Sequence, residues 1–165
     1  MKKTRILSLI LAVFMVLSFM ASCTKNEVSE SGTAKIVIET KNEGENKYVV
    51  YEVDLSLLES KAEGALSLLE YISSQEGSTL YYSATWGGGY GAYINSISPL
   101  TPDTLSGEYI GVYTSEECDF AVPTADFPTV QSTSYEGQTL KFSGVGVSSM
   151  TVKDGTVILF RLEKY

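Results

Sequence analysis

KIVIETKNEGENKYVVYEVDL, residues 35–55, joins two segments of strand-forming residues through a turn. Residues 35–40 are rich in β-branched side chains, and residues 42–46 are a turn cluster that contains a glycine. Polar and apolar side chains then alternate along residues 48–55. The apolar positions of this alternation are Val49, Tyr51, Val53 and Leu55. Such alternation indicates a strand with one buried face, so the stretch predicts a β-hairpin.

The segment after the hairpin has the period of a helix. An amphipathic helix repeats apolar residues at i, i+3, i+4 and i+7. The chain has this repeat at Ala65, Leu68, Leu69 and Ile72. The run Leu57-Leu58-Glu59 could start the helix earlier, but Gly64 argues against one unbroken helix. Gly77 suits the turn that ends the helix. We expect Leu69 to pack against the sheet.

Strand signals return after the helix. The candidate strands are residues 79–85, 92–97, 109–114, 139–143, 150–152 and 156–162. The last strand is almost continuously apolar from Val157 to Leu162, which is typical of a strand buried on both faces, so we expect it to be central. A hairpin, one helix and several strands predict an α+β domain, a mixed sheet with one main helix packed on one face.

Two sequence words make this pattern more specific. They are YIGVY at residues 109–113 and GVSSMTVKDGTVILF at residues 146–160. With the order of the elements, they resemble bacterial surface domains similar to the C-terminal domain of transcobalamin, the DUF4430-type β-grasp family. The resemblance covers roughly residues 34–163 and implies a β-grasp-like sheet.

The resemblance also implies a corrinoid or a similar small molecule as the first ligand to test. In transcobalamin-like proteins, a separate helical domain supplies the rest of the corrinoid site. The sequence departs from the family in three places. These are Thr114-Ser115, where an Asn-Gly turn is usual, Thr156, which replaces an Asp, and residues 115–138, which imply an inserted loop.

The N-terminus predicts export. Three basic residues precede an apolar run over residues 6–19, which suits a signal peptide and is shorter than the roughly 20 residues of a membrane span. Met20-Ala21-Ser22-Cys23 resembles the bacterial lipobox, in which the cysteine is acylated. We therefore expect a signal peptide at residues 1–22, a lipid such as palmitate on Cys23, and the extracytoplasmic face of a bacterial cell membrane as the location. Simple secretion and an uncleaved N-terminal anchor are the alternatives.

The remaining chain divides into a tether and a domain. Polar residues 24–33 lack an apolar period and predict a flexible tether, with the folded domain at residues 34–165. Removing the three basic residues of the signal leaves 9 basic and 20 acidic residues, a net charge of −11. An acidic surface repels nucleic acid, so nucleic-acid binding is excluded, and attachment to the membrane has to come from the lipid.

The residues that carry most enzyme chemistry are missing or poorly placed. The chain has no His, which removes the usual catalytic triads and zinc sites. Cys118 lies between Glu117 and Asp119, whose charge disfavours the thiolate, so we expect a half-buried structural thiol. These two acids and Glu116 lack the spacing of a calcium loop and predict a solvated acidic loop. We expect no enzyme activity, cofactor or metal.

The candidate site is an aromatic, glycine-rich stretch, WGGGYGAY at residues 86–93. A strand follows it, which argues against a phosphate-binding loop. Trp86 is the only Trp and stands beside three glycines, which offer the ring almost no apolar support. We predict that Trp86, Tyr90 and Tyr93, with Tyr113, form a ligand-binding surface. The alternative is a plain hairpin turn in which Trp86 plugs the end of the core.

These observations predict a non-catalytic, lipid-anchored binding module of the cell surface, for a corrinoid or another small ligand. The alternative is an interaction module that contacts a protein or a glycan of the cell envelope, in the manner of an adhesin.

Overall fold

The computed structural model describes residues 27–42 and 45–165. The predicted signal peptide and Cys23 lie outside these residues. Nowhere in the described ranges does a helix reach the length and apolarity needed to cross a membrane. The elements are β1 (Thr33–Asn42), β2 (Glu45–Asp54), α1 (Gly64–Ser74), β3 (Tyr82–Trp86), β4 (Ala92–Ile97), β5 (Glu108–Thr114), β6 (Ser132–Tyr135), β7 (Gln138–Phe142) and β8 (Val157–Lys164).

Six of the strands form one curled sheet in the order β2-β1-β8-β5-β7-β6. β1 and β2 are the predicted antiparallel hairpin. β8 lies parallel to β1 and antiparallel to β5, so it is central, as its continuous apolar run predicts. The first and last strands, β1 and β8, lie parallel to each other inside the sheet, which is the β-grasp-like order. The predicted α+β class is confirmed.

The sheet buries apolar side chains on both faces. The core on the helix side contains Ile36, Ile38, Leu69, Ile158 and Phe160, all 0% exposed. On the opposite face, the smaller core consists of Val37, Tyr113, Tyr135, Leu140, Val157 and Leu159. Successive strand residues point to opposite faces, so β8 supplies both cores in turn. The predicted apolar face of α1 is buried along its whole length.

Residues 28–33, predicted as the end of a flexible tether, are part of the folded domain. Val28 is 7% exposed and pairs with Val152 in a parallel bridge. The Val152 N–H donates to the carbonyl oxygen of Glu27 at 2.8 Å, and the Ser29 N–H donates to that of Val152 at 2.9 Å. The Leu55 N–H also donates to the carbonyl oxygen of Gly32 at 2.9 Å, and Lys61 Nζ lies 2.6 Å from Glu30 Oε2. These contacts dock a segment whose composition is otherwise that of a linker.

The second half of the chain differs from the prediction in two places. β6 lies inside the segment expected to be an inserted loop. The sequence does not predict this strand, because the polar residues of Ser132–Tyr135 carry a weak strand signal. Residues 150–152 form no strand beyond the bridge to Val28.

The acidic segment is not the solvated loop that its composition predicts. Asp119 is fully buried, and its Oδ2 accepts the Thr151 N–H at 2.6 Å. Glu116 Oε1 accepts the Thr156 hydroxyl at 2.6 Å, and only Glu117 is exposed. The carboxylates of Asp119 and Glu116 therefore bind the segment that leads into β8.

Cys118 lies in the same segment and is half-buried, as predicted. Its Sγ lies 3.5 Å from the Thr151 hydroxyl oxygen.

Candidate functional site

The aromatic stretch forms the tip of a hairpin that is separate from the main sheet. β3 and β4 pair antiparallel, with Trp86 opposite Ala92 and Thr85 opposite Tyr93. Gly88 and Gly91 have φ angles of +53° and +98°, which residues with a side chain rarely adopt. The glycines therefore serve the turn, and β4 follows them where a phosphate-binding loop of the helix-capping kind would require a helix.

Three aromatic side chains are exposed at this tip. Trp86 and Tyr90 are each 62% exposed, and Tyr93 is 46% exposed. Trp86 does not plug the core, because its glycine neighbours give it nothing to pack against. Large aromatic residues that remain in water are typical of interaction surfaces. We call these three side chains the aromatic tip.

The aromatic tip presents its rings on two sides of the hairpin. Trp86 and Tyr93 belong to different cross-strand pairs in adjacent positions, and adjacent pairs point to opposite faces. The Tyr93 ring packs over Gly87. The ring pairs in the described residues involve other aromatic side chains. The tip is therefore a wedge with aromatic surface on both sides and not a flat stacking platform.

Backbone hydrogen bonds fix the base of the tip. The Gly146 N–H donates to the carbonyl oxygen of Tyr90 at 2.7 Å. The Ala92 N–H donates to Ser148 Oγ at 2.8 Å. Ser148 belongs to a 3₁₀ turn, Val147–Ser149, which packs against α1. The exposed rings are thus attached to a folded base, which lowers the entropy lost when they bind.

Tyr113 is not part of the aromatic tip, and its prediction as a ligand-contacting residue is wrong. It lies on β5 and is fully buried in the core opposite the helix. Its hydroxyl donates to Glu163 Oε1 at 2.5 Å and accepts from Arg161 Nη2 at 2.8 Å. Burial, followed by the hydrogen bond to Glu163, raises the pKa of Tyr113 above its ordinary value. Tyr113 therefore anchors an internal polar network.

Sequence reasoning also missed a cavity between the ends of β1 and β8, which Glu39 and Arg161 line. Neither residue type signals a site when it stands alone in a strand. The sequence offers one clue, which is that the acidic Glu39 stands two positions after Val37 and therefore on the same face of the strand. In the described ranges, no three His, Cys, Asp or Glu side chains are grouped to hold a metal ion.

Comparison with known proteins supports the fold. No family model and no curated protein matches the chain. A solved structure from Ruminococcus gnavus ATCC 29149, described as a "putative metal binding protein", is similar over 81% of this chain and 98% of that chain. The TM-score is 0.50 and the sequence identity is 13%. Similarity at this identity shows the α+β fold alone.

Proposed function

We propose that this chain is a non-catalytic binding module, held at the extracytoplasmic face of a bacterial membrane by a lipid on Cys23, which contacts its ligand through the aromatic tip. The observation that carries the proposal is the exposure of Trp86, Tyr90 and Tyr93 on a hairpin whose base is fixed. Aromatic side chains dominate binding energies at interfaces because they bury a large area with little loss of rotamer freedom.

Two ligand classes follow from different observations. The resemblance to transcobalamin-like surface domains supports a corrinoid or a similar small molecule. The wedge shape of the aromatic tip supports a glycan or protein of the cell envelope, because rings on two sides fit a groove or a chain better than one flat ligand face. The name of the Ruminococcus gnavus protein adds metal ions to the compounds to be tested.

The aromatic tip is tested by Trp86→Ala. We expect the variant to lose binding to the ligand or envelope fraction that the wild type retains, with a melting temperature nearly unchanged, because the exposed ring contributes little to the core. Binding is measured by pull-down with envelope fractions and by thermal shift with corrinoids, glycans and metal ions. Tyr81→Ala is the matched control, since Tyr81 is 72% exposed and lies outside the tip.

Fluorescence gives an independent readout, because Trp86 is the only Trp of the chain. An exposed indole emits at long wavelength and is quenched by iodide. Blue-shifted, protected emission from the free protein, or a large fall in the melting temperature of Trp86→Ala, would assign the ring to the core and remove the nominated site.

The anchor is tested by Cys23→Ala. We expect the variant to leave the membrane fraction or to accumulate as an unprocessed precursor. One acyl chain binds a membrane only marginally, so stable attachment requires at least two chains on this residue. Cys118→Ala is the control and should remain with the membrane, because Cys118 is a half-buried residue of the folded domain. An unmodified mature N-terminus in mass spectrometry would contradict the anchor.

A further inference from the structure

A cavity of about 480 Å³ opens where β1 and β8 separate. The parallel pairing of these strands ends at Ile38 and Phe160, so Glu39 and Arg161 are the next residues on each strand. Both residues line the cavity, together with Thr40, Lys41, Pro99, Leu100, Thr101 and Leu162. Its size lies in the range of small-molecule sites, about 300–1,000 Å³.

Glu39 is the unusual member of this lining. Its side chain is 3% exposed. The Oε2 atom is buried and accepts no hydrogen bond from any described residue. The nearest cationic atom is Arg161 Nη1 at 3.9 Å, which is too far for a hydrogen bond. Buried polar atoms in proteins are normally hydrogen-bonded, so Oε2 lacks the hydrogen-bond donor that its burial requires.

Arg161 does not donate to Oε2 in this structure, because Nη1 lies beyond hydrogen-bond distance and the other two nitrogens donate elsewhere. Its Nε donates to Glu163 Oε1 at 2.5 Å, and its Nη2 donates to the Tyr113 hydroxyl at 2.8 Å. The guanidinium also lies over the Tyr113 ring, 4.4 Å from its centroid. Glu163 therefore matches the charge of Arg161, and the carboxylate of Glu39 leaves the cluster with one excess negative charge.

Burying the carboxylate of Glu39 without a matching positive charge costs free energy. A cation that also offers an N–H donor would remove this cost, because it supplies both the charge and the hydrogen bond. The rest of the lining combines three apolar residues, Pro99, Leu100 and Leu162, with Thr40, Lys41 and Thr101. Leu100 is itself 5% exposed. Carbon atoms of a ligand can therefore pack against Leu100, Pro99 and Leu162 while its charged group meets Glu39. A divalent metal ion fits less well, because hard cations require several oxygen ligands and one carboxylate is offered.

We propose that this cavity binds a small organic amine, with the ammonium group directed to the carboxylate of Glu39 and the alkyl part against Leu100, Pro99 and Leu162. The site is separate from the aromatic tip. Pro99 and Leu100 follow the C-terminal end of β4, whereas the tip lies at its N-terminal end and includes Tyr93, the second residue of the strand. The two sites therefore lie at opposite ends of one six-residue strand.

Lys41 is the internal competitor for this role. It stands two residues after Glu39, on the same face of β1, and lines the cavity. Its ammonium group could supply the donor if the side chain turned inward, in which case a free amine would not be needed. Lys41→Met separates the two arrangements, because it removes the internal cation and keeps a side chain of similar length.

The test uses the full-length protein in detergent and measures the binding of n-butylamine, n-butanol and butyrate by calorimetry and thermal shift. We expect n-butylamine alone to bind and to raise the melting temperature. Glu39→Gln, which keeps the shape of the side chain, should weaken amine binding at least tenfold without lowering the melting temperature of the free protein. Glu76→Gln, at an exposed position, and Trp86→Ala, at the aromatic tip, should bind n-butylamine as the wild type does.

Several results would overturn the proposal. One is equal binding of n-butanol or butyrate, and another is the absence of any response to n-butylamine. A third is a calcium or magnesium response that depends on Glu39 and replaces the response to the amine. Lys41→Met should bind n-butylamine at least as tightly as the wild type, and it tests the site even if Glu39→Gln fails to fold. A large loss of stability in Lys41→Met would instead identify Lys41 as the partner of Glu39.

Discussion

Replacing Leu69 by Ala should lower the free energy of unfolding by about 2–5 kcal/mol, because the change removes a fully buried side chain and leaves a cavity. Leu69 belongs to the core that joins α1 to β1 and β8. Urea denaturation followed by circular dichroism measures the effect. Leu57→Ala is the control, since Leu57 is 55% exposed and should change stability little. An effect of Leu69→Ala within experimental error would mean that α1 is peripheral to the fold.

Replacing Gly64 by Ala should also destabilise the domain by about 2–5 kcal/mol, the sum of a backbone term and a packing term. Gly64 begins α1 with a φ of +50°, and a Cβ atom there would lie 2.3 Å from the carbonyl oxygen of Met150. The obstacle is backbone, which cannot rotate away as a side chain can. The change therefore forces α1 away from the segment that follows the turn at Val147–Ser149.

Gly77→Ala separates the two terms. Gly77 has a φ of +77°, and a Cβ atom there would meet nothing within 4 Å. The variant should therefore lose only the backbone term, about 1–2 kcal/mol. Equal losses at Gly64 and Gly77 would mean that the contact with Met150 contributes nothing.

The elements that the sequence predicted are those with a strong local period. The hairpin of β1 and β2, the apolar face of α1 and the central position of β8 all follow from spacing within a few residues. β6 lacks such a period, because its four residues are short and polar. The docking of Val28 on Val152 joins residues far apart in the chain, so no local pattern reports it.

The same distinction applies to the candidate sites. The exposure of Trp86 follows from three adjacent glycines, a local feature. Tyr113 was misassigned because Tyr suits both a wet surface and a core, and its burial depends on strands that the sequence does not align. Asp119 was misassigned because its partner, the Thr151 N–H, is remote in sequence. The burial of Glu39 beside the cavity depends on the position at which β1 and β8 separate, and only the sheet register reveals that position.

The bridge between Val28 and Val152 also determines the orientation of the molecule if Cys23 carries the proposed lipid. Four residue steps separate Cys23 from Glu27, the first described residue, and an extended chain spans at most about 14 Å over that length. Glu39 lies six residues beyond the start of β1, about 20 Å along the strand. The Val28 end of a lipidated protein would thus stay within about 14 Å of the bilayer surface, and the cavity at Glu39 lies about 20 Å further along β1.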